Sequence, residues 1–456
     1  MANAKRYELD MIHGNLIPKV LRFAVPLMFT SMLQLLYNAA DVIVVGRFAG
    51  SEALAAVGST GALINLIVNL FLGLSIGTNV VVARDYGAGN LPGTQQTVHT
   101  SILVSIIGGT VLAVFGFLFG GTFLRWMQSP PEVLPLATDY IRIFFLGMPF
   151  NMLYNFGAAI LRAVGDTKRP LYFLTVSGIV NVVLNLFFVI VCGMGVAGVA
   201  WATIISQAIS AALVLLCLVR SDGYVHLNPK KLAIHWDRLA EIMKIGIPAG
   251  FQGMCFSISN VLIQSAVNRC GAIVVAGNSA ASNIEGFVYV AMNSFYQACI
   301  TFVSANVGAG KNSRIYRSTG ACVFLVTIVG MVLGGATVLA HNILLGIYSP
   351  DPAVIAAGTV RLTVIGTTYF LCGIMDVLCG SLRGMGTSLV PMVVSILGAC
   401  VLRIVWIYGF LPEGYALRML YLSYPISWFL TGLAHFVCIL IRKRKFPNEA
   451  PEVMAA

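Results

Sequence analysis

Apolar runs of about 20 residues recur twelve times in this chain, the first from Phe23 to Gly46 and the last from about 418 to 441. A helix rises 1.5 Å per residue, so each run is long enough to cross the roughly 30 Å hydrocarbon core of a bilayer. Inside lipid the backbone must satisfy its own polar groups, which leaves helices and closed barrels. Runs of this length indicate helices, so the chain reads as an all-α integral membrane protein with twelve transmembrane helices. Composition agrees: 58% of the 456 residues are hydrophobic and only 10% charged, far from the balance of a soluble domain. Residues Met1 to Arg22 are polar and the first apolar run is too long for a signal core, so no cleavable signal is expected.

The formal charge of +11 is distributed by topology. With the amino terminus in the cytoplasm, cytoplasmic loops and tails carry 21 of the 28 Lys and Arg residues. The outer half carries seven: Arg47, Arg125, Arg142, Arg269, Arg361, Arg403 and Arg418. That bias places both termini inside a plasma (inner) membrane and removes the need for a nucleic acid partner. The ten cysteines, Cys192 to Cys438, fall in or beside apolar runs without a metal-type pair and read as packing residues.

The sequence also repeats at half its length. GAGN at Gly87 returns as GAGK at Gly308, LRAVG at Leu161 as LRGMG at Leu382, and Pro170 as Pro391, each 221 residues on. Pro26 returns as Pro248, a shift of 222. Six spans per half put both repeats in the membrane the same way up, as parallel repeats related by an axis along the membrane normal. The expected division is residues 1–225 and 226–456, joined by a polar cytoplasmic linker at about 220–238 that contains Gly223 and Pro229.

Asp41 lies inside the first apolar run, followed by four β-branched residues before Gly46. A carboxylate there is costly, and the default reading is functional; the other reading is a helix-end residue in contact with water. Tyr37 sits one helical turn earlier on the same face. Pro26 and Pro248 interrupt the backbone hydrogen bonding of their spans, as hinges or as static kinks. Two enzyme-like motifs lack their context. GLSIG at Gly73 to Gly77 matches the GxSxG pattern of a serine nucleophile but reads as uninterrupted helix. GAGKNS lacks the first glycine and the final Ser or Thr of a phosphate-binding loop. Neither an enzyme nor an ATP-driven pump is expected.

Across nearly its whole length the chain resembles the multidrug and toxic compound extrusion (MATE) transporters of prokaryotes. The resemblance rests on FAVPLMFTSMLQLLYNAADVIVVGRFAG from Phe23, YGAGN, LRAVGDTKRP, GMGVAGVAWATIISQ from Gly193, NVGAGK and LRGMG. It implies a V-shaped, two-lobe secondary antiporter that exports cationic, amphipathic small molecules by alternating access. Protons or sodium ions would flow inward in exchange, with no further cofactor; lipid would surround the chain, which is expected to act as a monomer. By resemblance the cation-coupling site, open also to a sodium ion, would be Asp41, Asn181, Asn185 and Thr203, with Tyr37 nearby. Asn181 and Asn185 share a helix face, which supports the grouping independently. Where many prokaryotic members have an aspartate, this chain has Asn185, leaving Asp41 as the only acid of that group.

The second half departs further, since Pro248 to Ser259, PAGFQGMCFSIS, lacks the glutamate of some members. It offers Glu285, Asp376 and Arg403 instead. Similar depth predicts that Glu285 and Arg403 pair or face one polar cavity, as a structural ion pair or as coupling residues. Asp376 reads either as a solvated helix-end residue or as a second cation site. Met254, Phe287, Tyr289, Met292 and Tyr296 are candidate lining of a substrate cavity, although such helix stripes are more often core. The competing function is a flippase for lipid-linked precursors, whose polyanionic cargo would require cationic residues in the cavity.

Overall fold

A computed structural model describes residues 7–127, 131–411 and 416–446. The two termini, expected in the cytoplasm from the charge count, lie outside those residues. Every regular element among them is helical. The first half comprises α1 (Leu16–Val44), α2 (Ser51–Gly87), α3 (Leu91–Trp126), α4 (Leu134–Leu146), α5 (Met148–Ala163), α6 (Lys168–Leu186) and α7 (Gly195–Arg220). The second comprises α8 (Trp236–Asn268), α9 (Ala272–Gly308), α10 (Asn312–Leu339), α11 (His341–Gly346), α12 (Pro352–Gly384), α13 (Leu389–Ser395), α14 (Leu402–Val405) and α15 (Leu417–Arg442).

Eleven helical stretches among the described residues are long and apolar enough to cross a membrane, and the bent pair α4 and α5 makes a twelfth. That fourth span is broken by 46° at Gly147 rather than running straight. Pro149, in the first turn of α5, has no N–H to continue the ladder from α4.

The 221-residue repeat is visible in the backbone itself. Ser51–Gly87 and Ala272–Gly308 correspond end to end, and α3 and α10 start 221 residues apart. The glycines that turn the chain between helices match in conformation: Gly50 and Gly271 have φ of 93° and 94°, Gly89 and Gly310 have 68° and 69°. A side chain at such a φ is strained, so glycine at the same place in both halves fixes the same turn twice.

The chain forms two compact units, one made of Met1–Leu9 and Phe29–Gly250, the other of Asp10–Met28 and Phe251–Ala456. Each leading helix therefore changes unit partway along, two residues beyond its proline: α1 after Met28 and α8 after Gly250. In the second unit the early part of α1 is held by Phe23, whose ring meets Phe302 edge-on at 5.7 Å. The fully buried Met11 adds its carbonyl, which accepts from Asn306 Nδ2 and Arg314 Nε, both at 3.3 Å.

In the first unit the early part of α8 lies against α2 with almost no side chain between them. A Cβ built on Gly73 would stand 2.1 Å from the Gly250 nitrogen, and one on Gly77 2.3 Å from the Ile242 carbonyl oxygen. Close backbone approach of this kind drives helix association where lipid supplies no hydrophobic force. At the start of α8, Arg238 pairs with Asp85 at 3.0 Å and Arg84 pairs with Glu241. The GLSIG stretch is thus a packing motif. Ser75 donates to the Leu72 carbonyl at 2.7 Å inside a continuous helix and forms no nucleophile elbow.

Candidate functional site

The first unit holds a cavity of about 540 Å³, of mixed polar and apolar lining, bounded by α1, α2, α4, α5, α6 and α7. Asp41 stands half-buried in its wall, one turn before α1 changes to a π-helical turn at Val45–Ala49. Asn181 and Asn185 lie on one face of α6, which likewise passes into a π-helical turn at Phe187–Val191. Such turns cluster at functional sites because they re-aim side chains out of the regular helical register.

Asn185 joins the two helices. Its Nδ2 donates to the Asp41 carboxylate and, at 3.2 Å, to Asn181 Oδ1. The Thr203 hydroxyl of α7 is within reach of the same carboxylate and also donates to the Val199 carbonyl at 2.9 Å. Tyr37 lies in the cavity with its hydroxyl donating to the Thr175 carbonyl at 3.4 Å. The five residues Asp41, Tyr37, Asn181, Asn185 and Thr203 therefore converge.

Two features decide what the arrangement can do. No Lys or Arg lines the cavity, so the charge of Asp41 has no fixed counterion there. Asn185 is fully buried, yet its Oδ1 has no hydrogen-bond partner among the described residues. A buried acceptor in that state calls for a donor or a cation. With the carboxylate, the amide oxygens and the Thr203 hydroxyl, the donor set is all oxygen and suits a hard cation or a proton on Asp41.

Further polar residues of the cavity were missed from sequence: Gln34, Asn38, Asn65, Asn155 and Gln207. A signal existed for two of them, because Gln34, Asn38 and Asp41 are spaced four and three residues apart on one helix face. The others come from separate helices and carry no charge to mark them.

The second unit corrects the expected ion pair. Glu285 pairs with Arg361, whose Nε and Nη2 reach the two carboxylate oxygens at 2.9 and 2.7 Å. Arg361 Nη1 donates to Asn278 Oδ1 at 2.7 Å, and that oxygen also accepts from the Tyr421 hydroxyl at 3.1 Å. Arg361 lies nine residues into α12 on a buried face, where it meets Glu285 directly. Arg403 instead donates through Nε to Ser427 Oγ at 2.7 Å and stacks 4.4 Å from the Tyr424 ring centre.

Asp376 is half-buried on α12 and forms no ion pair among the described residues, although the charges of Arg383 and Arg403 act on it. Arg383, counted with the cytoplasmic charges, is buried and donates to the Tyr296 hydroxyl and, at 2.8 Å, to Gln252 Oε1. Of the substrate-cavity candidates, Met292 is packed between α10 and α12, its sulfur 3.0 Å from a Cβ built on Gly330 and 3.1 Å from one on Gly373. Tyr296 is likewise interior, Met254 is half-buried, and Phe287 and Tyr289 are exposed from α9. Buried packing, not an open wall, occupies Met292 and Tyr296.

A family model described as MatE matches residues 26–187 and then residues 248–408, once in each half. The chain belongs to the MatE family. The double match coincides with the half-length repeat, and it makes the chain a multi-pass membrane transporter rather than an enzyme. Among MatE relatives, the probable multidrug resistance protein YpnP of Bacillus subtilis is 27% identical over 86% of this chain and 88% of its own length. A protein named FAD transporter from Shewanella oneidensis is 22% identical over 91% of this chain and 92% of its own. The fold is shared with a solved outward-facing multidrug resistance MATE family transporter of the MOP superfamily, with a TM-score of 0.89 and 22% identity. That match covers 96% of this chain and 98% of the other.

Proposed function

We propose that this MatE protein is a secondary active antiporter that exports cationic amphipathic compounds in exchange for protons or sodium ions. The observation that carries the reading is Asp41, a carboxylate in a cavity without Lys or Arg, beside the unpartnered oxygen of Asn185. Glu285 supplies the contrast: its charge is compensated internally by Arg361, so it needs no visiting ion. In this scheme Asp41 binds a proton or sodium ion when the cavity is open to the outside. Neutralisation lets α1 repack at Pro26, with Pro248 as its counterpart in α8, and displaces a bound cationic compound. The ion leaves when the cavity opens inward. One proton crossing about 100 mV and one pH unit supplies roughly 3.7 kcal/mol, enough for a few-hundredfold gradient of a neutral substrate. For a monovalent cationic substrate the voltage contribution cancels.

The proposal includes lobes at residues 1–225 and 226–456, a monomeric carrier in the plasma membrane, and both termini in the cytoplasm. The relative named FAD transporter points to an anionic cargo for that protein. The polar part of the cavity lining is amides, hydroxyls and one carboxylate with no Lys or Arg, which argues against a polyanion here, lipid-linked precursors included. The test is efflux of a cationic dye from proteoliposomes under an imposed pH gradient and, separately, a sodium gradient. The native chain is expected to respond to at least one gradient, and Asp41→Asn to lose at least tenfold in that response. Equal export by the two proteins under both gradients would remove Asp41 from the mechanism.

A further inference from the structure

The second unit contains an apolar groove remote in character from the charged residues above. It has a volume of about 510 Å³ and lies between α10, α12 and α15, with Val323, Leu371, Ile374, Leu378 and Phe436 among its walls. The groove is open along α10, since a Cβ built on Gly320 meets nothing within 4 Å. Phe429, Leu433 and Leu440 of α15 border it and are 56%, 50% and 51% exposed. On a membrane-spanning helix such exposure faces hydrocarbon, so the groove is filled by a flexible apolar chain or loses the dispersion contacts of its walls.

One end of the groove is positively charged. α10 begins at Asn312 and α15 ends at Arg442, and the two ends meet: Lys443 Nζ lies 5.5 Å from the Tyr316 ring centre. The Tyr316 hydroxyl donates to the Phe446 carbonyl at 3.1 Å and closes the groove there. Lys443 lines the groove within the run Arg442–Lys445, and Arg317, beside Tyr316 on α10, is exposed. None of the groove-lining residues is acidic. A hydrocarbon slot ending at a cluster of cations is the complement of one molecule class.

We propose that this groove binds one anionic phospholipid, with an acyl chain between α10, α12 and α15 and the headgroup phosphate at Lys443, in the field of Arg317, Arg444 and Lys445. The lipid belongs to the leaflet on the side where α10 starts and α15 ends. It props α12 on the face carrying Ile374 and Leu378, the side of the helix away from Asp376.

The test is native mass spectrometry of the full chain in detergent, supplied with phosphatidylglycerol or phosphatidylcholine. The expected result is one phosphatidylglycerol retained under activation that strips phosphatidylcholine. Gly320→Leu should lose that molecule without lowering its lipid-free melting temperature, because the added side chain enters open space and leucine is the better helix former. Lys443→Gln should keep a bound lipid but lower the phosphatidylglycerol preference about tenfold. Equal retention of both lipids by the native chain overturns the proposal, as does unchanged retention by Gly320→Leu. Binding of a cationic dye, in place of phosphatidylglycerol, that disappears in Gly320→Leu would make the groove a substrate subsite and also overturn it. Lipid counting does not depend on efflux, so this proposal and the antiport reading fail separately.

Discussion

Arg361 grips both carboxylate oxygens of Glu285, at 2.9 and 2.7 Å, with the two side chains only 10% and 7% exposed. Breaking such a buried pair from one side strands a charge, at a cost of about 3–5 kcal/mol. Arg361→Met should therefore lower thermal stability sharply, and Arg361→Met with Glu285→Leu should regain most of the loss. A single variant that melts with the native protein would mean that water reaches the pair.

Tyr37 and Gly178 define a second relationship, at the Asp41 cavity. A Cβ on Gly178 would fall 1.8 Å from the Tyr37 ring. Gly178→Ala must push the ring off α6, with an overpacking cost of about 1–3 kcal/mol. Efflux is expected to fall at least tenfold. Tyr37→Phe removes only the 3.4 Å hydrogen bond to Thr175 and should change efflux less than about threefold. Native rates in Gly178→Ala would show that the position of Tyr37 does not matter to transport.

The contact between α2 and the early part of α8 depends on glycine for a different reason. Gly73→Ala sets a methyl 2.1 Å from the Gly250 nitrogen, where no side chain can give way, so the helices must separate. The expected destabilisation is about 1–3 kcal/mol, read by thermal melting. Gly335→Ala is the control: nothing lies within 4 Å of its Cβ position, and better helix propensity should stabilise by up to about 1 kcal/mol. Equal melting of the two variants would contradict the close approach.

Asp10 gives a pH prediction outside the membrane-spanning segments. Partial burial alone would raise its pKa, but the N–H groups of Ile12 and His13 and the Lys19 ammonium outweigh it and hold the carboxyl at about 2. A depressed folded-state pKa contributes stability above the unfolded value near 3.9, and that contribution disappears as pH falls toward the folded value. Amide exchange at Ile12 and His13 should stay slow above about pH 4 and lose its Asp10-dependent protection toward pH 2. Asp10→Asn should differ from the native chain at neutral pH and match it at the acid end. A difference that persists unchanged at the acid end would exclude the carboxylate as its source.

Local spacing made much of this protein legible. Run length announced the spans, the 221-residue recurrence announced two like halves, and four-residue spacing put Asn181 beside Asn185 and Tyr37 beside Asp41. These are properties of neighbours on one helix, and a helix sets them with its own hydrogen bonds. Partners across helices depend on how each cylinder is rotated and how deep it lies, and no single helix contains that information. So Glu285 found Arg361 rather than Arg403, and α1 and α8 each changed unit two residues beyond a proline. In lipid those choices are made by buried charge and by shape, carboxylate against guanidinium and glycine against backbone, because apolar side chains find hydrocarbon on every side and gain little from one neighbour over another.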